Sequence, residues 1–176
     1  MKGLAILIIA IAVIWLIRTA RRPDTLKIGQ PAPDFSLPDQ QGVIHSLADF
    51  KGRWLVLYFY PKDDTPGCTK QACTFQNDLQ VLDTMGATVI GISVDNTDSH
   101  DQFAKKYGLD FPLLADTDAE VTTRYKSLIN MGVTKLAKRN TFLVDPRGEI
   151  AQIYLSANPT QNAADVIKDL KELQAT

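Results

Sequence analysis

Trp54-Leu-Val-Leu-Tyr-Phe-Tyr60 is an unbroken apolar run, rich in aromatic residues and stopped by Pro61. A strand buried on both faces of a sheet reads this way, and such a strand belongs near the middle of its sheet. Downstream, Ala72, Phe75, Leu79, Leu82 and Met85 recur at three- and four-residue spacing, with Gly86 after them. That spacing predicts one amphipathic helix over 65–85, opening just beyond the strand. Thr88-Val-Ile-Gly-Ile-Ser-Val94 reads as the next strand, Thr97 to Tyr107 as a helix closed by Gly108, and Pro112-Leu-Leu-Ala115 as a short strand.

These segments make two βαβ-type units, after which the pattern changes. Thr141-Phe-Leu-Val-Asp145 and Glu149-Ile-Ala-Gln-Ile-Tyr154 flank Pro146-Arg147-Gly148, a turn that sets the two strands antiparallel. A last helix follows Pro159, with Ala163, Val166, Ile167, Leu170 and Leu173 on one apolar stripe. Earlier, Phe35-Ser-Leu37 and Val43-Ile-His45 form a candidate small hairpin. The order βαβ then ββα, with a helix leaving the end of the central strand, predicts a thioredoxin-like α/β sandwich: a central mixed sheet flanked by helices.

The amino terminus is of another kind. From Gly3 to Ile17 there is no charged or polar side chain, while Lys2 precedes the run and Arg18, Arg21 and Arg22 follow it. As a helix this run spans roughly 22 Å, short for a bilayer, yet Lys2 and Arg18 can snorkel to the interfaces. The flank lacks the small-residue pattern of a signal-peptide cleavage site, so residues 1–22 are read as an uncleaved single-pass membrane anchor with a basic flank. The positive-inside rule leans the rest of the chain to the cytoplasmic side, with the periplasmic side as the alternative. Residues 23–34 carry Pro23, Pro31 and Pro33 and read as an extended tether, leaving 35–176 as the globular domain. Beyond residue 22 the chain has 15 basic and 20 acidic residues, an acidic balance that argues against nucleic-acid binding.

Two cysteines in 176 residues build neither a disulfide scaffold nor a four-cysteine zinc site. His45 and His100 stand in no ligand or catalytic pattern and are read as surface residues, so neither a metal nor a cofactor is expected. Cysteine remains the chemical clue. In Tyr60-Pro-Lys-Asp-Asp-Thr65-Pro-Gly-Cys68-Thr-Lys-Gln-Ala-Cys73, Cys68 falls where the helix begins, so unpaired N–H groups and the positive end of the helix dipole favour its thiolate. Pro61, Thr65, Pro66 and Gly67 build a tight polar helix entrance around it. Position 71 is glutamine, which rules out a Cys-x-x-Cys motif, and a phosphatase loop would need an arginine where Thr74 and Phe75 stand. On one intact helix, Cys68 and Cys73 are about 7.5 Å apart along the axis and rotated by about 140°, so a disulfide between them requires the first turns to unwind. The alternative is that Cys73 simply packs.

The chain resembles peroxiredoxins of the bacterioferritin-comigratory-protein, or Q, type over roughly residues 27–174. The family's Pro-x-x-x-Thr-x-x-Cys signature is matched by Pro61, Thr65 and Cys68, its resolving cysteine by Cys73 and its active-site arginine by Arg139. The resemblance implies a thiol peroxidase acting on hydrogen peroxide and organic hydroperoxides, with Cys68 as attacking residue and Cys73 as its disulfide partner. In that mechanism Arg139 and Thr65 orient the peroxide and Pro61 shields the pocket. It further implies reduction by thioredoxin or a similar dithiol protein, and a monomer is expected. Two features depart from the family: the added anchor, and Gln71 where many members carry an acidic residue. A membrane-tethered thiol-disulfide oxidoreductase acting on proteins is the competing reading.

Overall fold

The computed structural model describes residues 25–175. Its central sheet has five strands in the order β5-β4-β3-β8-β9, with β3 (Trp54–Phe59) in the middle. β3 runs parallel to β4 (Ala87–Ser93), which runs parallel to β5 (Leu113–Ala115). On its other side β3 pairs antiparallel with β8 (Thr141–Val144), and β8 with β9 (Ile150–Tyr154). This is the mixed sheet expected from the order of elements.

Strand alternation sends the β3 side chains into two separate cores. Val56 and Tyr58, followed by Tyr60, face Ala72 and Phe75 of α1 (Pro66–Asn77) and Val166 and Leu170 of α5 (Asn162–Gln174). Leu55, Leu57 and Phe59 face Phe35, Tyr125 and Phe142. Both faces are covered, which explains why the β3 sequence shows no polar interruption. Gly91 of β4 lies against the Tyr58 ring. A Cβ at Gly91 would come within 2.8 Å of that ring and 2.7 Å of Leu113 Cδ2.

The region expected as one helix over 65–85 divides into α1 and α2 (Leu79–Thr84). Asp78 separates them in the bridge region of backbone space, φ −97° and ψ 4°. Asn77 and Asp78 are poor helix-interior residues because their short polar side chains compete for nearby backbone groups. Leu82 still reaches the core, so the apolar spacing survived while the helix did not. α3 (Thr97–Tyr107) matches expectation: Asn96 Oδ1 accepts from Ser99 N–H at 2.9 Å, and Gly108 ends the helix in the left-handed region at φ 63°.

Four short elements were not anticipated: the 3-10 turn Leu47–Phe50, α4 (Glu120–Arg124) and the hairpin of β6 (Leu128–Asn130) with β7 (Lys135–Ala137). The small hairpin of β1 (Ser36–Pro38) and β2 (Ile44–Ser46) forms one residue further along than expected. Residues 25–34, the described part of the 23–34 segment read as an extended tether, contain a turn at 28–30 and are docked. Gly29 N–H donates to the Ile150 carbonyl at 2.8 Å, Ile150 N–H donates to Gln30 at 2.9 Å, and Leu26 and Ala32 are buried. The open edge of β9 supplies backbone partners for this segment, and the core takes Leu26 and Ala32 while Ile28 stays exposed. The expected anchor, Gly3–Ile17, lies outside the described residues; among the described residues no helix is long and apolar enough to cross a membrane.

Because neither Leu113 nor the Tyr58 ring has room to withdraw, Gly91→Ala is expected to lower stability by about 1–3 kcal/mol, measured by urea denaturation followed by circular dichroism.

Candidate active site

α1 leaves the carboxyl end of β3 through the 61–65 loop. Thr65 is the residue before the helix, with extended backbone (φ −91°, ψ 149°), and Pro66 occupies the first helical position, where its missing N–H is no loss. The first helical bond runs from Thr69 N–H to the Thr65 carbonyl at 2.8 Å. The N–H groups of Gly67 and Cys68 therefore have no partner within the helix, and they add local positive potential beside the Cys68 side chain.

Arg139 reaches this helix start from the short link between β7 and β8. Its Nη2 donates to Cys68 Sγ at 3.3 Å and its Nη1 to Gln71 Oε1 at 2.6 Å, with a longer contact from Nη1 to the Gly67 carbonyl at 3.4 Å. Gly67 makes the approach geometrically feasible, since a Cβ there would lie 3.1 Å from Arg139 Nη2. The neighbouring backbone is pinned, because Phe59 N–H donates to the Asn140 carbonyl at 2.8 Å and Ala157 N–H to the Arg139 carbonyl at 2.7 Å. Asn140 Nδ2 in turn donates to Ser127 Oγ at 3.0 Å, tying the arginine's neighbour to the unanticipated hairpin region.

Gln71 extends the cluster inward. Its Nε2 donates to Asn162 Oδ1 at 2.9 Å, and Thr141 Oγ1 donates to the same oxygen at 2.7 Å. The amide thus matches a donor on one side and an acceptor on the other, which fixes its orientation. Both oxygens that receive Arg139 are neutral, so its positive charge stays directed at the sulfur. Gln71, Asn162 and Thr141 carry no sequence pattern of their own; the glutamine stood out only as a departure from the family.

The expected site residues divide into two groups. Cys68 and Arg139 are brought into contact, with Cys68 about 1% exposed. Thr65 sits three residues before the sulfur and its hydroxyl donates to the Lys62 carbonyl at 3.1 Å; Pro61 is half-buried at the end of β3. Cys73 stays on α1 but off its buried face, which comprises Cys68, Gln71, Ala72 and Phe75. Both cysteines are free thiols and Cys73 is partly exposed, so α1 is intact with its two sulfurs on different faces.

One expectation is corrected here. His100, read as a surface residue, is completely buried on α3, with Nδ1 2.8 Å from Asp63 Oδ2. Its polar neighbours in sequence concealed a helical face shared with Phe103 and Ala104. His45, read the same way, is partly exposed and lies 2.8 Å from Asp39 Oδ2. Burial alone would raise the Asp63 carboxyl, but hydrogen bonds from His100, Ser99 and Tyr60 outweigh it and hold the group below its ordinary value. Burial, reinforced by Asp63, pushes the Tyr60 phenol well above its ordinary range, so the phenol stays protonated and donates to Asp63 Oδ1 at 2.7 Å.

With this geometry in place, comparison with known proteins is informative. Residues 28–153 match the model of the AhpC/TSA family. The chain is 37% identical over 153 residues to peroxiredoxin Bcp of Bacillus subtilis, an alignment covering 85% of this chain and 98% of that one. It is 42% identical over 147 residues to chloroplastic peroxiredoxin Q of Populus jackii, covering 84% and 68% respectively. Among solved structures, peroxidoxin BcpB of Mycobacterium tuberculosis superposes with a TM-score of 0.80 at 30% identity, covering 84% of this chain and 98% of that one. The chain belongs to the AhpC/TSA family, in its Bcp and peroxiredoxin Q branch.

Two outcomes follow from the site. Gly67→Ala keeps the helical backbone but pushes Arg139 back by a few tenths of an ångström, so the fold is expected to persist while iodoacetamide alkylates Cys68 about two- to fivefold more slowly at neutral pH. Asp63 has a depressed value in the folded protein. Its stabilisation is therefore full above the unfolded carboxylate value of about 3.9 and is lost as pH falls through the depressed folded value. The urea midpoint of wild type should exceed that of Asp63→Asn at about pH 6, and the gap should close as pH is lowered toward about 2.

Proposed function

We propose that Cys68 is the peroxidatic residue and Cys73 the resolving residue of this enzyme. As a peroxiredoxin, the protein is a thiol peroxidase that reduces hydroperoxides. The observation that carries the assignment to Cys68 is the guanidinium of Arg139 donating to its sulfur at the open start of α1. An ordinary thiol near pKa 8.5 is only a few percent ionised at pH 7, so complete ionisation raises the nucleophile by roughly thirtyfold. Enzyme accelerations are typically a million-fold or more. Most of the effect must therefore come from stabilising the charge that moves to the departing oxygen.

In the proposed step the Cys68 thiolate attacks the terminal oxygen of the hydroperoxide. The S–O bond forms as the O–O bond breaks, and the leaving oxygen takes a proton to depart as water or an alcohol. Arg139 stabilises both the thiolate and the developing oxyanion, while the Thr65 hydroxyl orients the peroxide and Pro61 limits water. The resulting sulfenic acid condenses with Cys73, releasing water and forming the disulfide. Because the two sulfurs lie on different faces of α1, the first turns unwind for this step. Thioredoxin or a similar dithiol protein then reduces the bond, itself becoming a disulfide. The enzyme works as a monomer, held to the membrane by Gly3–Ile17 with its catalytic domain on the cytoplasmic side. A protein thiol-disulfide oxidoreductase is disfavoured by family membership and by the five-residue spacing of the cysteines.

With hydrogen peroxide and a thioredoxin system, Cys68→Ser is expected to abolish turnover. Cys73→Ser is expected to consume about one peroxide per subunit and then stop. Sustained turnover by the first variant would reject the nucleophile assignment, and sustained thioredoxin-linked turnover by the second would reject the resolving assignment.

A further inference from the structure

Two successive carboxylates in the loop before Cys68 grip the same helix from opposite sides. Asp63 turns inward: His100 Nδ1 lies 2.8 Å from its Oδ2, Ser99 Oγ donates to the same oxygen at 2.7 Å, and Tyr60 donates to Oδ1. Its N–H donates to Asp95 Oδ2 at 2.9 Å, and that oxygen also accepts from Ser93 Oγ at 2.8 Å. Asp64 turns outward to Lys106, whose Nζ donates to Oδ2 at 2.6 Å. The reversal is produced by the backbone, since Asp64 has φ 54°, a left-handed conformation that aspartate tolerates better than most residues. α3 therefore clasps the entrance to α1 with a buried arm and a solvent-facing arm.

Within the buried arm, His100 can act through one atom. His100 Nε2 is enclosed and has no hydrogen-bond partner. An imidazolium would leave a charged N–H unpaired there, whereas a neutral ring with its proton on Nδ1 leaves only a bare acceptor. Asp63 accepts through its carboxylate, so the Nδ1 proton makes the one bond by which His100 holds it. No atom of His100 is needed for nucleophilic attack or for disulfide formation.

We propose that His100 is a positioning residue of the peroxidase site: through Nδ1–H it fixes Asp63, and with it the 61–65 loop that delivers Pro61, Thr65 and the first turn of α1 to the peroxide. The proposal rests on Cys68 being the attacking residue. It separates alignment of the peroxide, which depends on the loop, from reactivity of the sulfur itself, which depends on Arg139.

The test uses the full chain in detergent, with hydrogen peroxide as substrate and iodoacetamide as a probe of the bare sulfur. Phenylalanine keeps the bulk of the ring without a donor. Asparagine places an amide nitrogen near the Nδ1 position, and glutamine places one near Nε2. His100→Phe and His100→Gln are expected to lower kcat/KM for peroxide by about tenfold or more, and His100→Asn to recover to within about threefold of wild type. Iodoacetamide alkylation of Cys68 should stay within about twofold throughout. Lys105→Ala, which removes an exposed pair with Asp101 on the same helix, should leave kcat/KM unchanged. Should His100→Phe not fold, Asp63→Asn is read on the same two assays with the same expected split.

Wild-type kcat/KM in both His100→Phe and Asp63→Asn would overturn the proposal. It would also fail if asparagine recovers no better than glutamine, or if alkylation falls in step with peroxide reduction. Turnover by Cys68→Ser would instead overturn the nucleophile assignment, an outcome independent of the His100 series.

Discussion

The contact between Arg139 Nη2 and Cys68 Sγ joins residues 71 positions apart, and the sheet exists in the form that makes it. Both partners hang from the carboxyl end of β3. Cys68 leaves that end along α1, and Arg139 is held beside it because Asn140 pairs with Phe59 as β8 begins. An antiparallel strand entering next to a parallel βαβ unit is what brings a late segment to the start of an early helix. The apolar β3 run, the two cores and the antiparallel pairing all hold that end in place, and the sulfur acquires its cationic neighbour as a result.

Much of this was legible in the chain because burial writes itself into periodicity. The β3 run, the α3 stop at Gly108, the antiparallel β8 and β9 and the stripe of α5 each follow from a local rule. Cys68 was legible for a related reason, since helix-entry residues surround it. Arg139 was readable only through the family motif; by itself it belongs to the Lys135, Lys138 and Arg139 cluster. The break at Asp78 was hidden because Leu79 and Leu82 keep helical spacing across it. β6 and β7 were hidden because three-residue strands are too short to establish an alternation. α4 is capped by the Asp116 carboxylate, which takes the N–H groups of Val121 and Thr122, and so its start signal lies outside the usual capping position.

The polar partners of the site escaped reading because their meaning is relational. His100 looks like a surface residue until α3 is laid over the 61–65 loop, and Asn162 looks like an ordinary helix start until Gln71 and Thr141 converge on it. A neutral amide at position 71 also has an electrostatic effect. A carboxylate there would share the guanidinium charge with the sulfur, while the amide holds the arginine by geometry alone.

Gln71 lies between the two cysteines, so any covalent closure of that interval encloses it. In the cycle proposed above, joining Cys68 to Cys73 would unwind the turn that carries Gln71 and so draw it away from Arg139 and Asn162, its partners beside the sulfur. With its attacking sulfur held in the disulfide, the oxidised form of that cycle would have no thiolate to offer a further oxidant, and each reductive event would restore both the thiolate and its pocket before the next encounter. Readiness and exhaustion would then be two different shapes of the same helix.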